Sequence, residues 1–141
     1  MREVTVEHTV PFHDVDPLLV VWHGHYYKYF EYGREALMRA HGLDVPDLVA
    51  MGLKMMVVES HCRHLRPLRH GERVAVRAYF GRVDHKIMVH FEVRSVTHGH
   101  RAARGHTALV TLDGAGELLH DTPPAVRARL EAAGAEGAPA A

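Results

Sequence analysis

The hydrophobic period of this chain changes twice, near residue 22 and again near residue 53, and those two switches constrain the fold more than any single motif. Over 3–10, Val4, Val6, His8 and Val10 alternate with Glu3, Thr5, Glu7 and Thr9, the period of two that marks a half-buried strand. Pro11 ends it. From Trp22 the step becomes three and four. Trp22, Tyr26, Tyr29, Phe30, Gly33, Leu37 and Ala40 form an apolar stripe, with Lys28, Glu31, Arg34, Glu35 and Arg39 on much of the other side. That pattern predicts a helix of about five turns, closed at His41-Gly42 by a glycine C-cap. A short second helix is expected over 45–51, with Asp44 as N-cap and Pro46 in its first turn.

After Gly52 the strand pattern returns and persists through 53–65, 72–83, 86–97 and 102–112. In the second of these Val74, Val76, Ala78 and Phe80 share a face, and in the third Ile87, Val89, Phe91 and Val93 do. A last helix is predicted to open at Thr122 as N-cap with Pro123 in its first position. The segment 132–141 is Ala, Gly and Pro without apolar periodicity and reads as a disordered tail, leaving 1–131 as one domain. The order strand, long helix, then four consecutive strands implies an α+β fold with an antiparallel sheet of about five strands around one long helix.

Composition removes several function classes. Seventeen basic residues balance seventeen acidic ones, so no net field argues for a nucleic-acid or membrane-surface partner. A single cysteine, Cys62, leaves no disulfide framework and no CxxC motif. The N-terminal segment has no apolar signal-peptide core, and no run of 18 apolar residues occurs, so a soluble, cytoplasmic protein is expected. Fourteen histidines invite a metal reading, yet there is no HExxH and no repeated Cys/His spacing, and no metal or organic cofactor is expected. GxxxxGK[ST], GxGxxG and GxSxG are absent as well. Cys62 lies near His61 and His64, but in a strand His61 faces the opposite side. His64 shares the Cys62 side about 6–7 Å further on, so a buried thiol is the simpler reading.

The remaining candidate is the segment from Phe12 to Tyr26. Asp14 and Asp16 stand in a loop just before the long helix, whose first turn offers amides without helical partners and the positive end of the helix dipole. Such amides polarise a carbonyl, and a nearby carboxylate supplies a base or nucleophile, the minimum needed for acyl transfer to water. Equally compatible with the spacing is a carboxylate that only caps a turn around Pro17.

This segment resembles the 4-hydroxybenzoyl-CoA thioesterase family of hotdog-fold enzymes, including their short-chain acyl-CoA thioesterase relatives. The likeness rests on Asp14-Val15-Asp16, on Val20-Val21-Trp22 followed by His23, and on Tyr26 opening the helix before Phe30-Glu31. Arg66-Pro67-Leu68-Arg69 with Gly71-Glu72-Arg73-Val74 looks like the family's proline-containing turn, and the likeness spans residues 3–130. The resemblance implies a hotdog fold and hydrolysis of an acyl-CoA, or acyl carrier protein, thioester. It makes Asp16 the catalytic carboxylate and the amide of His23, with Gly24 next, the carbonyl-polarising donor. The His23 side chain then orients water or thioester. Trp22, His25 and Tyr26 become candidate substrate contacts, with Arg66 and Lys86 as candidate partners for the CoA phosphates. A homodimer or homotetramer is also implied. Two departures stand out: Pro17-Leu18-Leu19 where many relatives have small residues, and His25 where many have Asn. The alternatives are a non-catalytic acyl-CoA-binding hotdog subunit and a hotdog acyl dehydratase or hydratase.

Overall fold

The computed structural model describes residues 2–135. Five strands, β1 (Val4–Thr9), β2 (Lys54–His64), β3 (Arg73–Phe80), β4 (Ile87–Ser95) and β5 (His100–Leu112), form one sheet in the order β1-β3-β4-β5-β2, every neighbouring pair antiparallel. Three helices accompany it: α1 (His25–Ala40), α2 (Val45–Ala50) and α3 (Pro124–Ala135). This is the α+β arrangement that the period switches imply. The remainder of the tail expected over 132–141, from residue 136 onward, lies outside the described residues.

Alternation reads directly onto burial in the central strands. Val74, Val76, Ala78 and Phe80 of β3 and Ile87, Val89, Phe91 and Val93 of β4 are all buried, facing α1. Phe30 of α1 stacks flat on Phe91, centroids 4.5 Å apart. Close approach needs small residues on both sides. A Cβ on Gly33 would come within 3.0 Å of Val76, and one on Gly105 within 2.7 Å of the Phe30 ring. The second helix is capped as expected: Asp44 and Asp47 form a reciprocal capping box.

Two helix starts differ from expectation. α1 begins at His25 rather than Trp22, and its 16 residues make about 4.4 turns. The Trp22 amide is already used by the Asp14 carbonyl at 2.9 Å, and the Trp22 ring lies over Gly24, which becomes the N-cap. At the other end, α3 begins at Pro124 and not at Pro123. The Pro123 carbonyl accepts the first helical amides, from Val126 and Arg127, while the Thr122 hydroxyl is buried with no hydrogen-bond partner among the described residues and does not cap the helix.

Half-buried His8 and buried His41 are expected to make the fold acid-sensitive. Both ring nitrogens of His8, beneath Tyr29 and Tyr32, lack hydrogen-bond partners among the described residues. His41 Nε2 accepts the Arg2 amide at 3.2 Å, so its Nδ1 carries the hydrogen that meets the Leu37 carbonyl. Burial holds both rings below the ordinary histidine pKa of 6.5. The unfolded chain therefore binds these protons first, and their stability contribution is complete above pH 6.5 and lost as pH falls below it. Thermal unfolding at pH 7.5 and at pH 5 is expected to show a lower midpoint at the acid pH, reduced less in His8→Phe. Equal midpoints would contradict this account.

Candidate functional site

The loop before α1 hangs on a buried carboxylate. A single 3-10 turn over Phe12–Asp14 delivers Asp14 into the interior, where Lys28 Nζ and the Tyr29 hydroxyl each donate to it at 2.7 Å. His25 Nε2 stands 3.8 Å away and His13 Nδ1 3.4 Å. Burial pushes the Asp14 carboxyl up, but the Lys28 and Tyr29 hydrogen bonds and the neighbouring charges outweigh it and hold its pKa below the ordinary value. Tyr29, donating to that anion from the core, is raised far above its usual range, first by burial and then by Asp14. Asp14 is thus an anchor, its oxygens consumed by α1.

Asp16 is placed differently. Val15 and Val21 bridge the two arms of the loop, the Asp16 amide donates to the Val20 carbonyl at 2.9 Å, and the Leu19 amide donates to the Asp16 carbonyl at 2.8 Å. In the tight turn so formed, Asp16 Oδ1 accepts the Leu18 amide at 2.8 Å, while Oδ2 has no hydrogen-bond partner among the described residues. Turn capping therefore occupies one oxygen of this carboxylate and leaves the other open. The Val21 amide donates to Leu68, fastening this arm to the Pro67-Leu68 turn.

Asp16 borders a cavity of about 290 Å³ with Leu18, His23, Tyr26, His64 and Arg66 among its walls. At the same helix entry the backbone amides of His23 and Gly24 have no acceptor among the described residues. They carry the partial positive charge of the α1 N-terminus. A Cβ on Gly24 would fall 2.2 Å from the Trp22 ring, so a larger residue there displaces that half-exposed side chain. Tyr26 is buried, and desolvation pushes its phenol up to about 12, so it is a neutral wall.

Of the residues predicted from sequence, Asp16, His23, Tyr26 and Arg66 meet around this cavity, with Gly24 at the helix start beside His23. Trp22 and His25 pack on one another 5.3 Å apart, and His25 turns toward Asp14 rather than into the cavity. Lys86 is exposed between β3 and β4 and does not border the cavity. His64 was not singled out as a site residue. It ends β2 on the helix-facing side, its ring 4.8 Å from Tyr26 and 6.3 Å from His23, and burial followed by the His23 charge lowers its pKa. Its signal was the shared face with Cys62, which is half-buried with its thiol pushed up to about 11 by burial. A larger groove of about 540 Å³ lies between α1, α2 and the start of β2, but its charged rim is largely committed to internal pairs such as Arg34–Glu31.

A carboxylate oxygen without a partner beside unpaired helix-entry amides is an arrangement suited to acyl transfer. Comparison with known proteins points the same way. Residues 10–130 match the family model described as the thioesterase-like superfamily. A curated Synechocystis protein, sll0410, whose name places it among the esterases, is 30% identical over 121 residues, 84% of this chain and 72% of that protein. Among solved structures, the DHNA-CoA thioesterase of Staphylococcus aureus superposes with a TM-score of 0.82 at 18% identity, over 99% of this chain and 98% of that one. The Staphylococcus aureus protein SAV2348, solved in complex with CoA, gives 0.83 at 16% identity, over 100% and 90%. These structures share the hotdog thioesterase fold with it, and the chain belongs to the thioesterase-like superfamily.

Proposed function

We propose that this protein hydrolyses acyl-CoA thioesters, in the manner of the 4-hydroxybenzoyl-CoA thioesterase branch of its superfamily, with Asp16 as the reacting carboxylate. The observation that carries the reading is the open Asp16 Oδ2 at a helix entry whose His23 and Gly24 amides have no acceptor among the described residues. A thioester carbonyl seated there accepts hydrogen bonds from one or both amides, which stabilise the oxyanion as it forms. Asp16 then acts in one of two ways. As general base it takes a proton from water, whose oxygen attacks the carbonyl while the C–S bond breaks and the CoA thiolate leaves. As nucleophile it forms a mixed anhydride, expelling the same thiolate, and water cleaves the anhydride. The His23 ring orients water or the thioester, and Tyr26 walls the site.

Arg66, at the cavity edge, is the proposed partner for a CoA phosphate, with Lys86, Trp22 and His25 as outer contacts. The CoA-bound Staphylococcus aureus neighbour supports CoA as carrier. A second copy of the chain completes the assembly in this reading. β2 is an edge strand of 11 residues that exposes Met56, Val57 and Val58, and an unpaired edge of that length is a template for continuing the sheet. Sedimentation at twice the 15.8 kDa chain mass or a multiple of it is expected, and a monomer would contradict the dimer.

Crotonyl-CoA separates this reading from a hydratase. Hydrolysis releases free thiol and leaves the enoyl double bond in the acid. Hydration removes the enoyl absorbance with the thioester intact. The proposal expects the first product pattern, and the second would overturn it.

A further inference from the structure

The turn that holds Asp16 is strained in a way its neighbours do not explain. Leu19 has φ 64°, the single non-glycine residue with positive φ among the described residues. A leucine there carries backbone strain that glycine would avoid. It is 71% exposed, and Leu18 beside it is 79% exposed. Neither belongs to the core, and the turn's hydrogen bonds, from Leu18 to Asp16 Oδ1 and from Leu19 to the Asp16 carbonyl, use only backbone of the two leucines. Phe12, 72% exposed, and Trp22, 47% exposed, add apolar surface to the same loop. Leu18 also borders the Asp16 cavity.

Strained backbone and exposed apolar side chains kept together beside a reactive group point to recognition of a ligand and not to folding. Leu18 lines the same cavity as Asp16, His23 and Tyr26, so an acyl group seated in that cavity meets the leucine side chain. We infer that Leu18-Leu19 is the acyl-recognition element of the site, and that the substrate is a thioester whose acyl or aryl group is apolar close to the carbonyl. The inference rests on the thioesterase reading for the identity of the ligand, and the turn selects by apolar contact.

The test separates recognition from turnover. S-alkyl-CoA thioethers, from ethyl to decyl, present the chain without a cleavable thioester, and their binding to the full chain is read by calorimetry. Wild-type protein is expected to bind octyl-CoA more tightly than ethyl-CoA. Leu18→Ala should weaken octyl-CoA binding about tenfold and ethyl-CoA binding by a clearly smaller factor. Leu19→Asn keeps a residue that tolerates positive φ while removing the apolar side chain, so it should retain the wild-type melting temperature and still weaken octyl-CoA binding. Chain-length-independent binding by the wild type, or an equal loss for ethyl and octyl in Leu18→Ala, overturns the inference. So does a variant that alters self-association but not thioether affinity. Failure of the thioesterase reading shows separately, as absent thiol release by a protein that still discriminates among thioethers.

Discussion

Asp16→Asn is expected to lower thioester turnover by 10²–10⁴-fold, the range typical of a lost acid–base or nucleophilic carboxylate, with an unchanged melting temperature. Asparagine retains a carbonyl oxygen that accepts the Leu18 amide, so the turn survives, while the oxygen corresponding to Oδ2 is replaced by a group that neither attacks nor takes a proton. The contrasting variant is Asp14→Asn, two residues away. Asp14 is fully engaged by Lys28 and Tyr29, so its neutralisation removes a charge-assisted anchor and lowers stability first, with activity falling only as the loop loosens. Steady-state kinetics and thermal unfolding on both variants separate the roles. If Asp14→Asn abolished turnover in a fully stable protein while Asp16→Asn did not, the assignment would be reversed.

The second large effect is on stability. Phe30→Ala is expected to cost about 3–5 kcal/mol, a major part of the total for a domain of this size. The ring is 1% exposed and stacks on Phe91 at 4.5 Å with an interplanar angle of 3°. It reaches so close to the sheet because Gly105 has no Cβ, so the cavity left by truncation is walled by backbone that collapses poorly. Gly105→Ala acts from the other side: its Cβ would meet the His61 carbonyl and the Phe30 ring, and neither is the free end of a flexible side chain. Urea denaturation of both variants measures this. A loss below about 1 kcal/mol for Phe30→Ala would show that the helix–sheet contact does not depend on this stack.

Strand positions were legible where one face is buried and the other wet. β3 and β4 show this because they are central strands covered on one side by α1, so every second residue is apolar. β2 was legible as a strand but not in its burial: it is an edge, most of it is exposed, and its register shifts between Val57 and Glu59. The start of α1 was read three residues early because Trp22 fits the helical stripe but spends its amide on Asp14, a contact across the loop that periodicity does not register. At the proposed site, the helix-entry motif named the segment that brings Asp16 and His23 to one cavity, since the two are close in sequence. Which aspartate is consumed by the core depended on Lys28 and Tyr29 arriving from α1, and His64 joined from β2, a strand whose pairing with the helix entry no local spacing reveals.

The most direct test of the central claim is free-thiol release by the wild-type protein from a panel of CoA thioesters, acetyl to palmitoyl with benzoyl and phenylacetyl. The account predicts catalytic turnover of at least one member, with the preferred acyl group apolar next to the carbonyl. A folded protein that releases no thiol from any of them would contradict it.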